Sequence, residues 1–477
     1  MLLIFVVLYL LASIVVGLYF ARRVRGAADY AVAGRALPLS IVIGTTFATW
    51  FGSETVIGIP AKFLEGGMSD TAEDPWGAAF CLILVGLVFA RPLYRFSLLT
   101  INDYFRERYG VAIELFCSVV SVLSYLGWVA AQISALGIVF SLLSDSAISP
   151  FTGMLIGTVV VLFYTLFGGM WSVAVTDFLQ MIVIVICLTA IAVIASNLAG
   201  GPMRVMHEAH ARNMLHFFPP LETKRILFFI GSGVTFLLGS IPQQDIFQRV
   251  MSAKSERIAV IGPIIGGSAY LVFSFIPMFI VASGYVLMPD ELPVLIEQDA
   301  QHVLPTLVME HMPHVTRVLF FGALLSAIMS TASSTILAPS TVFVQNVLKH
   351  FWPEMSDRQE LLFMRTMVLL FTLLVLAYSI AMDGTSVYDL VSSSYQLPLV
   401  GAFVPLAAGL YWPRATNRGA ITSIVFGLAT WILFMSTSLG ERFPQQLAGL
   451  GMAIFGMWLG TVLTPPQSKA ERPSSEQ

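Results

Sequence analysis

The feature that most limits this chain is its series of apolar runs, each close to the ~20 residues that a helix needs to cross the hydrocarbon core of a bilayer. Read on that scale, the sequence predicts spans at 1–21, 38–62, 77–96, 113–143, 150–170, 173–198, 226–248, 258–288, 315–347, 364–382, 386–412, 418–438 and 446–464, about thirteen helices. In lipid every backbone N–H and C=O must be satisfied within the protein, and runs of this length satisfy them as helices. The expected fold class is an all-α membrane protein, with one transmembrane domain over 1–464 and a polar, disordered tail at 465–477. A soluble enzyme with a large apolar core is the competing class. Only 11% of the residues are charged, against roughly 25% in soluble domains, too few to coat a wet surface of this size.

Basic residues orient such a chain, because short cytoplasmic loops carry the excess of Lys and Arg. With the N-terminus outside, the outer side receives Lys62, Arg204, Arg212, Lys224, Arg225, Arg317 and Arg442; all other basic residues, Arg249 among them, fall on the cytoplasmic side. The acidic segments Glu65 to Asp74 and Asp290 to Asp299 then face outward. Arg22, Arg23 and Arg25 follow the first apolar run, the reverse of a secretory signal, so that run reads as a retained helix. Cys81, Cys117 and Cys187 lie within apolar runs at irregular spacing and support neither a disulfide framework nor a zinc cluster. A net charge of −3 offers no basic face for nucleic acid. The partners expected are the lipid bilayer and a small organic solute, with no obligate protein partner.

Two spans read as broken. In 38–62 the pattern is interrupted by Gly44, Gly52, Ser53, Gly58 and Pro60, with Glu54 near mid-depth; in 226–248 Gly231, Gly233, Gly239, Ser240 and Pro242 precede Gln243-Gln244-Asp245. The two lie five helices apart and so enter from opposite sides. Interrupted helices at matching places of two inverted halves mark a transporter's midplane site. The plainer reading is that Gly and Pro are simply commoner in membrane helices.

Within 315–347, Ala327, Ser330, Thr331 and Ser334 fall on one helical face at i, i+3, i+4 and i+7. Such a stripe facing an unwound helix would offer neutral oxygens to a hard cation such as sodium. It fits equally a seam of small residues at which helices approach closely. Asp177 and Glu54 are ionisable groups at membrane depth, where function is the default, although Asp177 also fits a solvated helix end. Phe47, Trp50, Phe51 and Trp128, near Gln132, fit the wall of a solute pocket as well as they fit core. His207, His210 and His216 read as solvated loop residues. The sequence presents no nucleophile–base pair and no metal-ligand spacing, and its Gly-rich stretches lack the strand context of a phosphate loop.

Several blocks, in order along essentially the whole chain, resemble the sodium/solute symporter family: Asp29-Tyr30-Ala31-Val32-Ala33-Gly34-Arg35, Gly168-Gly169-Met170-Trp171-Ser172 running on to Thr176-Asp177-Phe178-Leu179-Gln180, Phe247-Gln248-Arg249-Val250-Met251-Ser252-Ala253-Lys254, and Met329-Ser330-Thr331. The resemblance implies an inverted repeat of five plus five helices, the first helix of each broken, here 38–198 and 226–412. It implies a sodium ion held by backbone oxygens of Ala48, Phe51 and Ala327 with the hydroxyls of Ser330 and Thr331. A second sodium would use Asp177, Ser330, Ser333 and Ser334. Within the family the chain is most similar to the high-affinity choline transporter branch, through Ala48-Thr49-Trp50, Ile133-Ser134-Ala135-Leu136-Gly137 and Ile241-Pro242. Trp50 and Trp128 fall where that branch implies aromatics suited to a quaternary ammonium, and with Glu54, Gln132 and Gln243 they form the expected solute-binding set. Gln243 and Ala78 stand where aromatics are expected, and Glu54 is an added carboxylate that could balance a cation by charge.

The expected function is sodium-coupled symport of a small organic solute, a choline-like or other amine cation, with an amino acid, carboxylate or sugar as the alternative. A proton-driven carrier relaying through Asp177 or Glu54 is another alternative, and a membrane sensor with a transporter-like core is one of a different class. The expected location is the inner membrane of a bacterial-type cell, multi-pass, N-terminus outside and C-terminus cytoplasmic.

Overall fold

A computed structural model describes residues 2–144, 147–382 and 384–464; the predicted disordered tail at 465–477 lies outside them. Among the described residues the chain is helical with no strand. One isolated bridge pairs Leu37 with Ala253: the Leu37 amide donates to the Ser252 carbonyl, and the Lys254 amide to the Leu37 carbonyl. It ties the entry of the first broken helix to the exit of the second.

Nine helices among the described residues are long and apolar enough to cross a membrane, or ten if a pair bent by 43° is one span. Three further segments separate this from the predicted thirteen. Leu39–Trp50 and Pro150–Phe163 are short apolar helices, and Gln445–Val462 falls outside the set that meets the hydropathy test. The break in the first is local: after Leu39–Trp50 the backbone turns at Phe51 (φ −90°, ψ 67°) and resumes in a wide π-helical turn at Glu54–Gly58, continued by Ile59–Gly66. Such turns recur at functional sites because they leave backbone groups unpaired. The second broken helix is Thr223–Gly239 with Gln244–Ser252, parted at Ser240–Gln243, where Pro242 has no N–H to continue the ladder.

The least secure sequence boundary, at Gly168-Gly169, becomes a kink inside one run, Pro150–Leu198, where Gly169 adopts φ 49°, ψ −149°. Tyr30 fills the bend: a side chain at Gly169 would meet the Tyr30 ring at 2.5 Å and its carbonyl at 2.6 Å. The helix carrying the hydroxyl stripe, His314–Val342, packs against this kinked helix, the first broken helix and Val111–Leu143.

Burial is inverted relative to a soluble protein. Leu362, Leu369, Leu370, Leu373 and Leu374, and likewise Val15, Tyr19, Ile186 and Val193, are exposed, while Ser330, Thr331, Asp177 and Gln132 are wholly buried. Apolar bands of that extent are what lipid covers. Three assignments change. Glu73 and Asp74, read as outward loop residues, are 8% and 1% exposed, because the chain folds inward over Ala72–Gly77. Arg249, counted with the cytoplasmic loop cations, is 2% exposed, because its half-helix runs through the protein interior. Asp177 is no solvated helix end: the kink at Gly169 directs its segment into the core.

Candidate functional site

The last carbonyls of a helix have no partner within it, so the break after Trp50 leaves several to be met from elsewhere. The Thr331 hydroxyl donates to the Thr49 carbonyl at 2.8 Å and lies 3.5 Å from that of Ala48. The Thr55 hydroxyl donates to the Trp50 carbonyl at 3.1 Å. The partial negative charge of a helix C-terminus therefore concentrates at residues 48–51, against the face of Ser330 and Thr331. Gly52 permits the approach, since a Cβ there would stand 2.7 Å from the Thr331 hydroxyl and against the Glu54 carboxylate.

Beside this lies a second polar nest. Asp177 accepts hydrogen bonds from Thr45 at 2.5 Å, Ser330 at 2.7 Å, Thr49 at 3.2 Å and Ser334 at 3.4 Å. Arg249 stands 3.7 Å from the same carboxylate, and its Nη2 donates to the hydroxyls of Thr49 and Ser334. Of the residues expected at a second ion, Asp177, Ser330 and Ser334 thus come together. Ser333 instead bonds the Ser330 carbonyl of its own helix at 3.0 Å. Of the residues expected at the first ion, Thr331 lies by the Ala48 carbonyl, whereas the Ser330 hydroxyl is turned to Asp177. Phe51 supplies the non-helical turn, and Ala327 is buried on the facing helix.

On the other side of Trp50 sits an aromatic box. Trp50 and Trp128 stand edge to face with ring centroids 5.8 Å apart; Tyr395 stacks on Trp50 at 6.0 Å and packs against Trp128 at 5.4 Å. Tyr125 stacks on Trp128, and Phe236 packs on Tyr395. Glu54 accepts from the Trp128 indole at 3.0 Å and from Gln132 Nε2 at 2.8 Å, while Gln132 Oε1 accepts the Ser53 amide at 3.0 Å. Gln132 therefore holds both the broken turn and its carboxylate. Asp245 accepts from the Trp50 indole at 3.1 Å and the Tyr125 hydroxyl at 2.6 Å. Gln243, expected in the solute set, exchanges hydrogen bonds with Ser124.

Sequence reasoning missed Asp245, Tyr395 and Arg249. Asp245 carried a signal, an acid right after a predicted break. Tyr395 carried a weaker one, lying in the polar run Ser392-Ser393-Ser394-Tyr395-Gln396 of an otherwise apolar span. Arg249 sat in a family-like block but was read as a loop cation.

A profile of the sodium:solute symporter family matches residues 30–427. The human high-affinity choline transporter is 27% identical over 443 residues, covering 89% of this chain and 75% of that one. The high-affinity proline transporter of Bacillus subtilis is 24% identical over 482 residues, covering 96% and 97%. Among solved structures, a substrate-bound, outward-open sodium-coupled sialic acid symporter aligns with a TM-score of 0.83 at 19% identity over 98% of this chain and 99% of that one. A nucleobase-cation-symport-1 family transporter in a closed conformation aligns at 0.58 with 14% identity, over 93% and 96%. The family match spans most of the chain: the chain belongs to the sodium:solute symporter family.

Proposed function

We propose that this sodium-coupled symporter carries a small organic cation, held in the box of Trp50, Trp128 and Tyr395 beside Glu54. The observation that carries the reading is the Glu54 carboxylate, buried at the edge of that box and fixed by Trp128 and Gln132. Aromatic faces attract cations through their quadrupole, and a buried carboxylate without a counter-charge is costly. The sodium ion is assigned to the carbonyls of Ala48, Phe51 and Ala327 with the Ser330 and Thr331 hydroxyls. Ion and solute then share residues 48–51, so ordering by either favours the other, and the coupling is reciprocal.

The core is assigned as two inverted repeats, 38–198 and 226–412. The chain is a multi-pass membrane protein, assigned to a bacterial-type inner membrane with its N-terminus outside. Cysteines placed singly near residue 204 and near residue 357 should label from opposite sides; labelling from one side overturns the topology.

The decisive experiment is thermal stabilisation of the purified protein by choline-like cations, amino acids, carboxylates and sugars, with and without sodium. A ligand that binds the folded state raises its stability by mass action, so a sodium-dependent shift is expected for cations. Stabilisation by sugars or carboxylates alone would overturn the cation reading. In proteoliposomes, Ser330→Ala with Thr331→Ala is expected to abolish sodium-stimulated uptake; unchanged sodium dependence removes the ion assignment.

A further inference from the structure

The two carboxylates at the aromatic box occupy corresponding places in the two broken helices. Glu54 opens the second half of the first, and Asp245 lies in the first turn of the second half of the other. Carboxylates are favoured at helix N-termini by the partial positive charge there, so both breaks present an acid to the centre for the same reason. Each takes an indole N–H from a different tryptophan, Glu54 from Trp128 and Asp245 from Trp50. The box therefore has two acidic poles.

The charge balance points the same way. Glu54, Asp74, Asp177 and Asp245 are all buried, and among the described residues Arg249 is the one buried cation. Asp74 belongs to this centre: Tyr270 hydrogen-bonds both it and Thr55, one residue from Glu54. Glu73 is buried beside Asp74 as well, so buried acids outnumber the one buried guanidinium at this centre. Unpaired charge in a low-dielectric interior is expensive, so a positive charge placed at each of the two acidic poles is favoured.

Hydrogen bonding selects the kind of cation. An ionised carboxylate offers about four acceptor positions, and Glu54 uses one at Oε1 and one at Oε2. The remaining positions take N–H donors, which an ammonium carries and a quaternary ammonium lacks.

We propose that the solute is a linear dication of the α,ω-diamine class, with one ammonium at Glu54, the other at Asp245, and its methylene chain lying along the rings of Trp50, Trp128 and Tyr395. The proposal rests on the cation-symport reading above and narrows it.

The test is thermal shift and proteoliposome uptake with a chain-length series of α,ω-diamines, the matching monoamines and choline, with and without sodium. One diamine is expected to bind, in a sodium-dependent way, about tenfold or more tighter than the monoamine of equal length, the scale of an added charge-assisted contact. Asp245→Asn should lower that diamine-to-monoamine ratio to near one, and Glu54→Gln should weaken both ligands. If the Asp245 variant does not fold, the ratio in the unaltered protein decides alone. A monoamine or choline binding as tightly as every diamine overturns the dication and leaves cation symport standing. Sodium-dependent binding of neutral or anionic solutes alone overturns both.

Discussion

At the level of single residues the site is built from groups that lipid would reject singly and that are stable only together. Asp177 and Arg249 show this most plainly, a buried pair at 3.7 Å with four hydroxyls around the carboxylate. Removing one member leaves the other uncompensated. Asp177→Asn or Arg249→Gln alone should cost about 3–5 kcal/mol of stability, and the double variant less than the two singles together. Thermal denaturation of all three checks it; strict additivity would mean the two do not act as a pair. Gly52 makes a subtler case, since a methyl there would press the Thr331 hydroxyl away from the Ala48 and Thr49 carbonyls. Gly52→Ala should weaken sodium activation about tenfold, the loss of one net hydrogen-bond contact, while the folded protein survives. An unchanged sodium activation curve would detach Thr331 from the ion. Trp50, Glu54 and Trp128 stand out in the sequence because an acid or an indole in an apolar run is a local anomaly. Asp245, Tyr395 and Arg249 were not singled out, because their meaning lies in partners that are 195, 120 and 200 positions away or, for Tyr395, in ring contacts to other helices.

Among the elements, both broken helices were foreseen, since Gly, Ser and Pro inside an apolar run weaken a helix wherever it sits. The exact breakpoints and the 43° bend were not, because they depend on what each half packs against. The kink at Gly169 belongs to the same class. Its φ and ψ lie in a region that glycine tolerates and other residues do not, and Tyr30 leaves no room for a side chain. Gly169→Ala should therefore lower stability by about 1–3 kcal/mol from backbone strain, with more from the clash. A melting temperature within a degree of the unaltered protein would show that the two halves can straighten at no cost. The same kink places Asp177 in the core, so solute affinity should fall along with stability.

For the molecule as a whole, the sequence by itself determined the class. Apolar runs of bilayer length fix an all-helical membrane protein, because lipid offers backbone polar groups no other partner, and the blocks of family-like residues fix the lineage. Those signals are local and additive along the chain. Only the tertiary structure decided which buried charges meet. It turned Glu73 and Asp74 inward, drew Arg249 out of a supposed loop onto Asp177, and set Asp245 and Glu54 at opposite indoles of one aromatic box. Electrostatic pairing in a low-dielectric interior depends on distances between helices, and the order of residues along any one helix does not specify those distances.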